Sequence, residues 1–213
     1  MTAPAARGEG DDTIVAMPFV DAKSIELIPH PSTPGGAVRA LGVQLRAQGP
    51  DVLMLRYSLR AAMARLRVPP PRAGGAGARA QELWKHTCFE AFVAPLDAPG
   101  QDHRGRGYLE FNFSPSLDWE IHRFGSYRAG GSRALIGAPP TISLDRALDA
   151  LELEATVRLS DVDGLRDMGH VRIGLAAVIE DDEGRLSYWA LRHAPGKPDF
   201  HHSDAFALEV SLA

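Results

Sequence analysis

Three stretches of the chain concentrate aromatic and ionisable side chains beyond what a plain core needs. The first is Leu83-Trp84-Lys85-His86-Thr87-Cys88-Phe89-Glu90-Ala91-Phe92-Val93. The second runs Tyr108-Leu109-Glu110-Phe111-Asn112-Phe113-Ser114-Pro115-Ser116 and on to Asp118-Trp119. The third is Ser187-Tyr188-Trp189-Ala190-Leu191-Arg192-His193, followed by Pro195 to Asp204. An indole such as Trp84 or Trp189 can stack on the apolar C–H face of a sugar ring while charged neighbours take the hydroxyls. The same rings also serve as core packing. Glu90 sits among Phe89, Ala91, Phe92 and Val93, where a carboxylate costs energy unless it is paired or reaches a pocket. A ligand site and a buried Arg partner both meet that cost. Period-two geometry places Glu90 on one face with His86, Cys88 and Phe92.

His201 and His202, with Asp199 and Asp204, bring together residue types that bind metals. A zinc site needs four ligands, or three plus water. Adjacent His side chains in an extended segment point opposite ways, so His193 or His86 would have to complete the set. A hydrogen-bonded loop capped by Asp199 uses the same residues, and no bound metal is expected. Cys88 lies two residues from His86, the spacing of a thiol and its base on one strand face, although lone cysteines more often pack as small apolar residues. No GxSxG, HExxH, P-loop or dinucleotide fingerprint occurs.

The elements that position these residues read as strands. Leu151, Leu153, Ala155, Val157 and Leu159 alternate with polar residues, the pattern of a strand with one buried face. Leu109 to Phe113 and Phe206 to Leu212 alternate likewise, and weaker strands cover 24–28, 38–46, 52–60, 86–93, 119–127, 171–179 and 186–193. Asp181-Asp182-Glu183-Gly184 predicts a hairpin in which Gly184 takes a positive φ. Pro69-Pro70-Pro71 and the glycines that follow predict a mobile loop. Leu144–Leu151 predicts one short helix, capped by Thr141 or Ser143. Many short strands with little helix mean a β-sandwich or a barrel.

Composition sets outer bounds. The chain has 213 residues, 45% hydrophobic and 23% charged, which is globular and excludes a disordered chain. A net charge of −4 offers no basic excess for a phosphate backbone, so no nucleic-acid partner is expected. No run of 18 apolar residues occurs, so no helical membrane span is expected. The first residues lack the pattern of a secretion signal, which points to a cytoplasmic protein. A flexible N-terminus over 1–18 and one domain over 19–213 follow.

Trp84 stands six residues before Glu90, Tyr108 to Pro115 supplies a second strand, and Trp189 follows Trp84 by about a hundred residues. In these features the chain resembles the DOMON-like superfamily and, within it, the family 9 carbohydrate-binding modules. Lys197 to His202 resembles a bacterial DOMON-like subgroup of unassigned function. The resemblance implies an all-β, two-sheet antiparallel β-sandwich, jelly-roll-like, with about ten strands. It implies a non-catalytic module for a small sugar-like ligand, with Trp84 and Trp189 as clamp and Glu90 as acceptor. Glu110, Asn112, His86 and His193 are the further candidates, and no cofactor is expected. The alternative is a haem- or metal-binding sensor or an enzyme built on 193–204, with Met54, Met63 and His193 as haem-ligand types.

Overall fold

The computed structural model describes residues 23–72, 74–75, 77–165 and 168–212. The N-terminal segment 1–18 lies outside the described residues. The strands in chain order are β1 (Lys23–Glu26), β2 (Ile28–Pro29), β3 (Val38–Gln48), β4 (Val52–Ala61), β5 (Cys88–Leu96), β6 (Tyr108–Phe113) and β7 (Trp119–Phe124). They continue with β8 (Ser132–Arg133), β9 (Thr141–Arg146), β10 (Ala150–Arg158), β11 (His170–Glu180), β12 (Leu186–Ala190) and β13 (Leu208–Ser211).

A five-stranded sheet has the order β1-β3-β4-β10-β9. An eight-stranded sheet has the order β2-β12-β11-β5-β6-β7-β8, with β13 also paired to β11. The pairings within both sheets are antiparallel. The expected two-sheet all-β sandwich is therefore the fold. One edge of β11 serves two partners: β12 takes Ala176–Glu180 and β13 takes His170–Ile173. Gly174 lies at the junction, where an added Cβ would stand 3.0 Å from the Ala205 carbonyl oxygen.

The main core fills the space between the sheets. Leu53, Leu55, Tyr57 and Leu59 of β4 and Leu151, Leu153, Ala155 and Val157 of β10 meet Phe89, Ala91, Val93, Phe111 and Phe113 from the larger sheet. Burial of each large side chain contributes about 1.5–3 kcal/mol. The alternate residues of β4 and β10 face water, where Arg56 pairs with Glu154 and Ser58 bonds Glu152. The larger sheet is covered on its outer face as well. There Phe92, Ala94, Tyr108, Ala176 and Val178 form a second cluster with Phe200 and Phe206, contributed by the segment that follows β12. A sheet buried on both faces reads as a continuous apolar run, which is why Cys88 to Val93 shows no polar alternation beyond Glu90.

The chain around Leu144–Leu151 is not a helix. It is the end of β9, a tight connection and the start of β10. Leu144, Leu148 and Leu151 have helical spacing, but Leu144 pairs across to Leu153, and Leu148 is exposed at the hairpin tip. The free edge of β10 supplies backbone partners that override the weak local pattern. Among the described residues only single 3-10 turns occur in place of helix. The Asp181–Gly184 hairpin forms as expected, with Gly184 at φ +81 and its N–H donating to the Asp181 carbonyl at 3.0 Å. The Pro69–Gly77 stretch, predicted as a mobile loop, carries the chain from the smaller sheet to the larger; Ala73 and Ala76 lie outside the described residues. Arg72 within it bonds Asp118.

One hydrogen bond crosses the sandwich beneath the outer-face cluster. The Tyr57 hydroxyl, on the smaller sheet, donates to the backbone carbonyl of Glu90 at 2.8 Å, with both groups buried. Tyr57→Phe is expected to lower stability by about 1 kcal/mol, since it removes one buried hydrogen bond while keeping the ring. Urea unfolding checks this: the midpoint falls and the slope is unchanged.

Candidate functional site

Strand register builds the site. Across the outer face of the larger sheet one row runs Ala176, Glu90, Asn112, Glu120, and the next runs Gly174, Phe92, Glu110, His122. Three buried carboxylates thus stand on adjacent strands, and the fold treats them differently. Glu120 is neutralised: Arg79 Nε donates to Oε1 at 2.6 Å, Arg133 Nε donates to Oε2 at 2.7 Å, and the Ile121 N–H donates to Oε1 at 2.8 Å. Glu110 accepts one bond, from Asn112 Nδ2 at 2.8 Å, and its other oxygen lies 3.9 Å from His201 Nε2. Glu90 is 2% exposed, and its Oε1 has no hydrogen-bond partner among the described residues.

The electrostatics follow from this arrangement. Burial, and then the charge of Glu110, push the Glu90 carboxyl well above its ordinary value. Burial raises Glu110 too, against the opposing bond from Asn112. Asn112 is fully buried, and the Cys88 thiol reaches its Oδ1 at 3.6 Å, which turns the Nδ2 donor toward Glu110. Burial and the two carboxylates raise the Cys88 thiol far above its usual range. Its predicted base is also absent, because His86 turns to Glu180 at 2.7 Å. Cys88 therefore packs and orients Asn112 and is no thiolate nucleophile.

Glu90, Glu110 and Val178 line a cavity of about 340 Å³. Trp84, from the single turn Leu83–Lys85, forms part of its wall and stays 37% exposed. The Trp84 ring stands edge-on to His122, with centroids 5.6 Å apart. Phe124, Tyr188 and Phe200 add further aromatic wall. Asp199, next to the lining residues Pro198 and Phe200, ties two loops together. It accepts from Tyr127 Oη, from Arg128 at 2.8 Å and from the His201 N–H at 3.1 Å. Burial alone would raise Asp199, but the Tyr127 and Arg128 bonds hold it below its ordinary value. Burial, and then the Arg128 charge, lower His201 to about 4, so this ring is neutral at pH 7 and shares a 2.8 Å hydrogen bond with the Tyr108 hydroxyl.

The sequence-predicted residues separate into two groups. Trp84, Glu90 and Glu110 line one cavity, and Asn112 supports it from below. Trp189 does not join them. It is 5% exposed in the core between the sheets, and its Nε1 donates to Ser187 Oγ at 3.1 Å. Its neighbour Tyr188, on the opposite face of β12, is the residue that reaches the cavity. Trp84, Tyr188, Phe124 and Phe200 together make up the aromatic lining of the cavity. His86 lies off the cavity on Glu180, and His193 packs edge-on against His30 with its Nε2 on the Ile28 carbonyl at 2.9 Å. The sequence reading missed His122, Phe124, Arg128 and Tyr188. Nothing local chooses Tyr188 over Trp189, since both faces of β12 meet apolar clusters, and nothing local singles out Arg128.

The haem-ligand types do not converge. Met54 faces outward on β4 of the smaller sheet, Met63 is in the main core, and His193 is at the edge of the larger sheet. Among the described residues no three His, Cys, Asp or Glu side chains are placed to hold a metal ion. No helix among them is long and apolar enough to cross a membrane.

The chain resembles the family 9 carbohydrate-binding modules. A module of that family from Caldicellulosiruptor kristjanssonii, solved in complex with glucose, is similar at a TM-score of 0.48 and 13% identity, covering 100% of this chain and 92% of its own. The module from the same organism in complex with cellotriose is similar at a TM-score of 0.45 and 11% identity, covering 92% of this chain and 83% of its own. No family model matches the sequence, and no curated protein does.

A buried carboxyl raised above its ordinary 4.5 favours the fold only while protonated. The stability it leaves intact is whole below pH 4.5 and is lost as pH rises through the folded value. Glu90→Gln is therefore expected to stabilise the ligand-free protein by about 1–2 kcal/mol at pH 8, with no gain at pH 4. Denaturant melts of both proteins at the two pH values test this, and an equal or lower stability of the variant at pH 8 contradicts it.

Proposed function

We propose that the outer-face cavity binds a small polar ligand with one stackable face, a sugar ring, and that the chain acts as a binding module without chemistry of its own. The observation that carries this reading is the Glu90 carboxylate. Its Oε1 is buried without a hydrogen-bond partner among the described residues, on the lining of a cavity whose wall includes the half-open indole of Trp84. A ligand hydroxyl would supply the missing bond, and the indole would cover the ring's C–H face. The volume suits a sugar of one or two rings. The strands carrying Glu90 and Glu110 hold those groups more rigidly than loops would. The spacing of Trp84 and Glu90, which resembles the family 9 modules, supports the same reading.

Calorimetric titration with a panel of neutral and amino monosaccharides and disaccharides tests it. Saturable binding is expected for at least one member, weakened tenfold or more by Trp84→Ala, a loss of about 1.4 kcal/mol. Trp189→Ala is expected to behave differently. It should lower stability by about 3–5 kcal/mol through the cavity left in the core, with the affinity of the folded fraction unchanged. A panel with no binder at millimolar concentration overturns the sugar reading. Equal binding by Trp84→Ala overturns the site.

A further inference from the structure

Charge on the outer face is balanced in one place and unbalanced in another. Glu120, fully buried, meets two arginines. Among the described residues Glu90, in the same row, and Glu110, in the next, meet no arginine: only His201 comes within ion-pair distance of Glu110, at 3.9 Å, and Glu90 has no ion pair. The Arg128 charge acts on Glu110 only through space, and burial outweighs it. Arg128 is bonded to Asp199, and His201 is neutral at pH 7. His122 presents its ring to Trp84, and its buried Nδ1 has no hydrogen-bond partner among the described residues. Tyr57 and Cys88, which lie next to Glu90, are neutral groups whose protons burial holds tightly.

We propose that the ligand of this cavity carries a positive charge, and that the site takes an amino sugar with a free ammonium group, held by the Glu90 and Glu110 carboxylates and faced by the aromatic wall. The proposal rests on the sugar reading of the same site and deepens it. An ammonium group supplies three donors and one charge in a compact volume, enough to satisfy Glu90 Oε1 and the second oxygen of Glu110. Aromatic π density also attracts a cation, and Trp84, Tyr188, Phe124 and Phe200 line the cavity. Among the described residues no third His, Cys, Asp or Glu side chain joins the two carboxyls in a group placed to hold a metal ion. The high proton affinity of the two empty-site carboxyls agrees, because a cation between them removes both the burial cost and their mutual repulsion.

The test compares three ligands that share one ring: glucosamine, glucose and N-acetylglucosamine, whose amine is capped and neutral. Each is titrated calorimetrically at pH 7 into wild type, Glu90→Gln and Glu110→Gln, with circular dichroism confirming that the variants are folded. Glucosamine is expected to bind at least tenfold tighter than the two neutral sugars. Each carboxamide variant should weaken glucosamine tenfold or more and narrow the gap to glucose, because a loss confined to folding would affect all three sugars alike. If glucose or N-acetylglucosamine binds as tightly as glucosamine, the charge assignment is overturned and the sugar reading stands. If none of the three binds, nor any other member of the panel, both fall.

Discussion

Strands β5 and β6 are buried on both faces, and this constraint governs the rest of the molecule. Their odd-numbered residues, Phe89, Ala91, Phe111 and Phe113, belong to the core between the sheets. Their even-numbered residues, Glu90, Phe92, Glu110 and Asn112, build the outer face. Neither set can shift without the other, since a slip of one residue would drive the carboxylates into the core and the phenylalanines out. The smaller sheet is therefore more than a cover. Through Tyr57 it fixes the backbone of Glu90 from behind, so that the position of the carboxylate is set by packing on the far side of the strand.

The second organising feature is the uneven neutralisation of three neighbouring acids. Glu120, with its two arginines, joins the 78–80 segment and β8 to β7 and is a structural brace. Glu90 and Glu110 are left with fewer partners than their burial demands. Such groups reduce the stability of the empty protein and are characteristic of places where function sets the residue. The surrounding shell is correspondingly well tied. Asp199 gathers Tyr127, Arg128 and His201, and Tyr108 links His201 to the Arg128 backbone.

What could be read in the sequence follows from this architecture. On β4, β6 and β10 alternation marked the strands without help, and the apolar surroundings of Glu90 marked it as unusual. Trp84 was legible because its spacing from Glu90 is local. The choice between Tyr188 and Trp189 was not, because Trp189 packs in the core between the sheets and Tyr188 packs partly buried against the outer-face cluster, so parity carries no label. Leu144 to Leu151 was misread because three leucines at helical spacing outweighed an edge that only the folded β10 provides. The Asp199 junction joins residues about 70 positions apart, and no local pattern encodes it.

The three tryptophans occupy three different surroundings, and this has an optical consequence. Trp119 and Trp189 are 6% and 5% exposed, against 37% for Trp84. Emission from the first two reports only on the integrity of the sandwich, and a soluble quencher reaches them poorly. Trp84 alone faces the cavity with enough open ring to respond to what enters it. The protein thus carries its own fluorophore at the mouth of the site, and a Trp84→Phe variant would leave a background from which that signal has been removed.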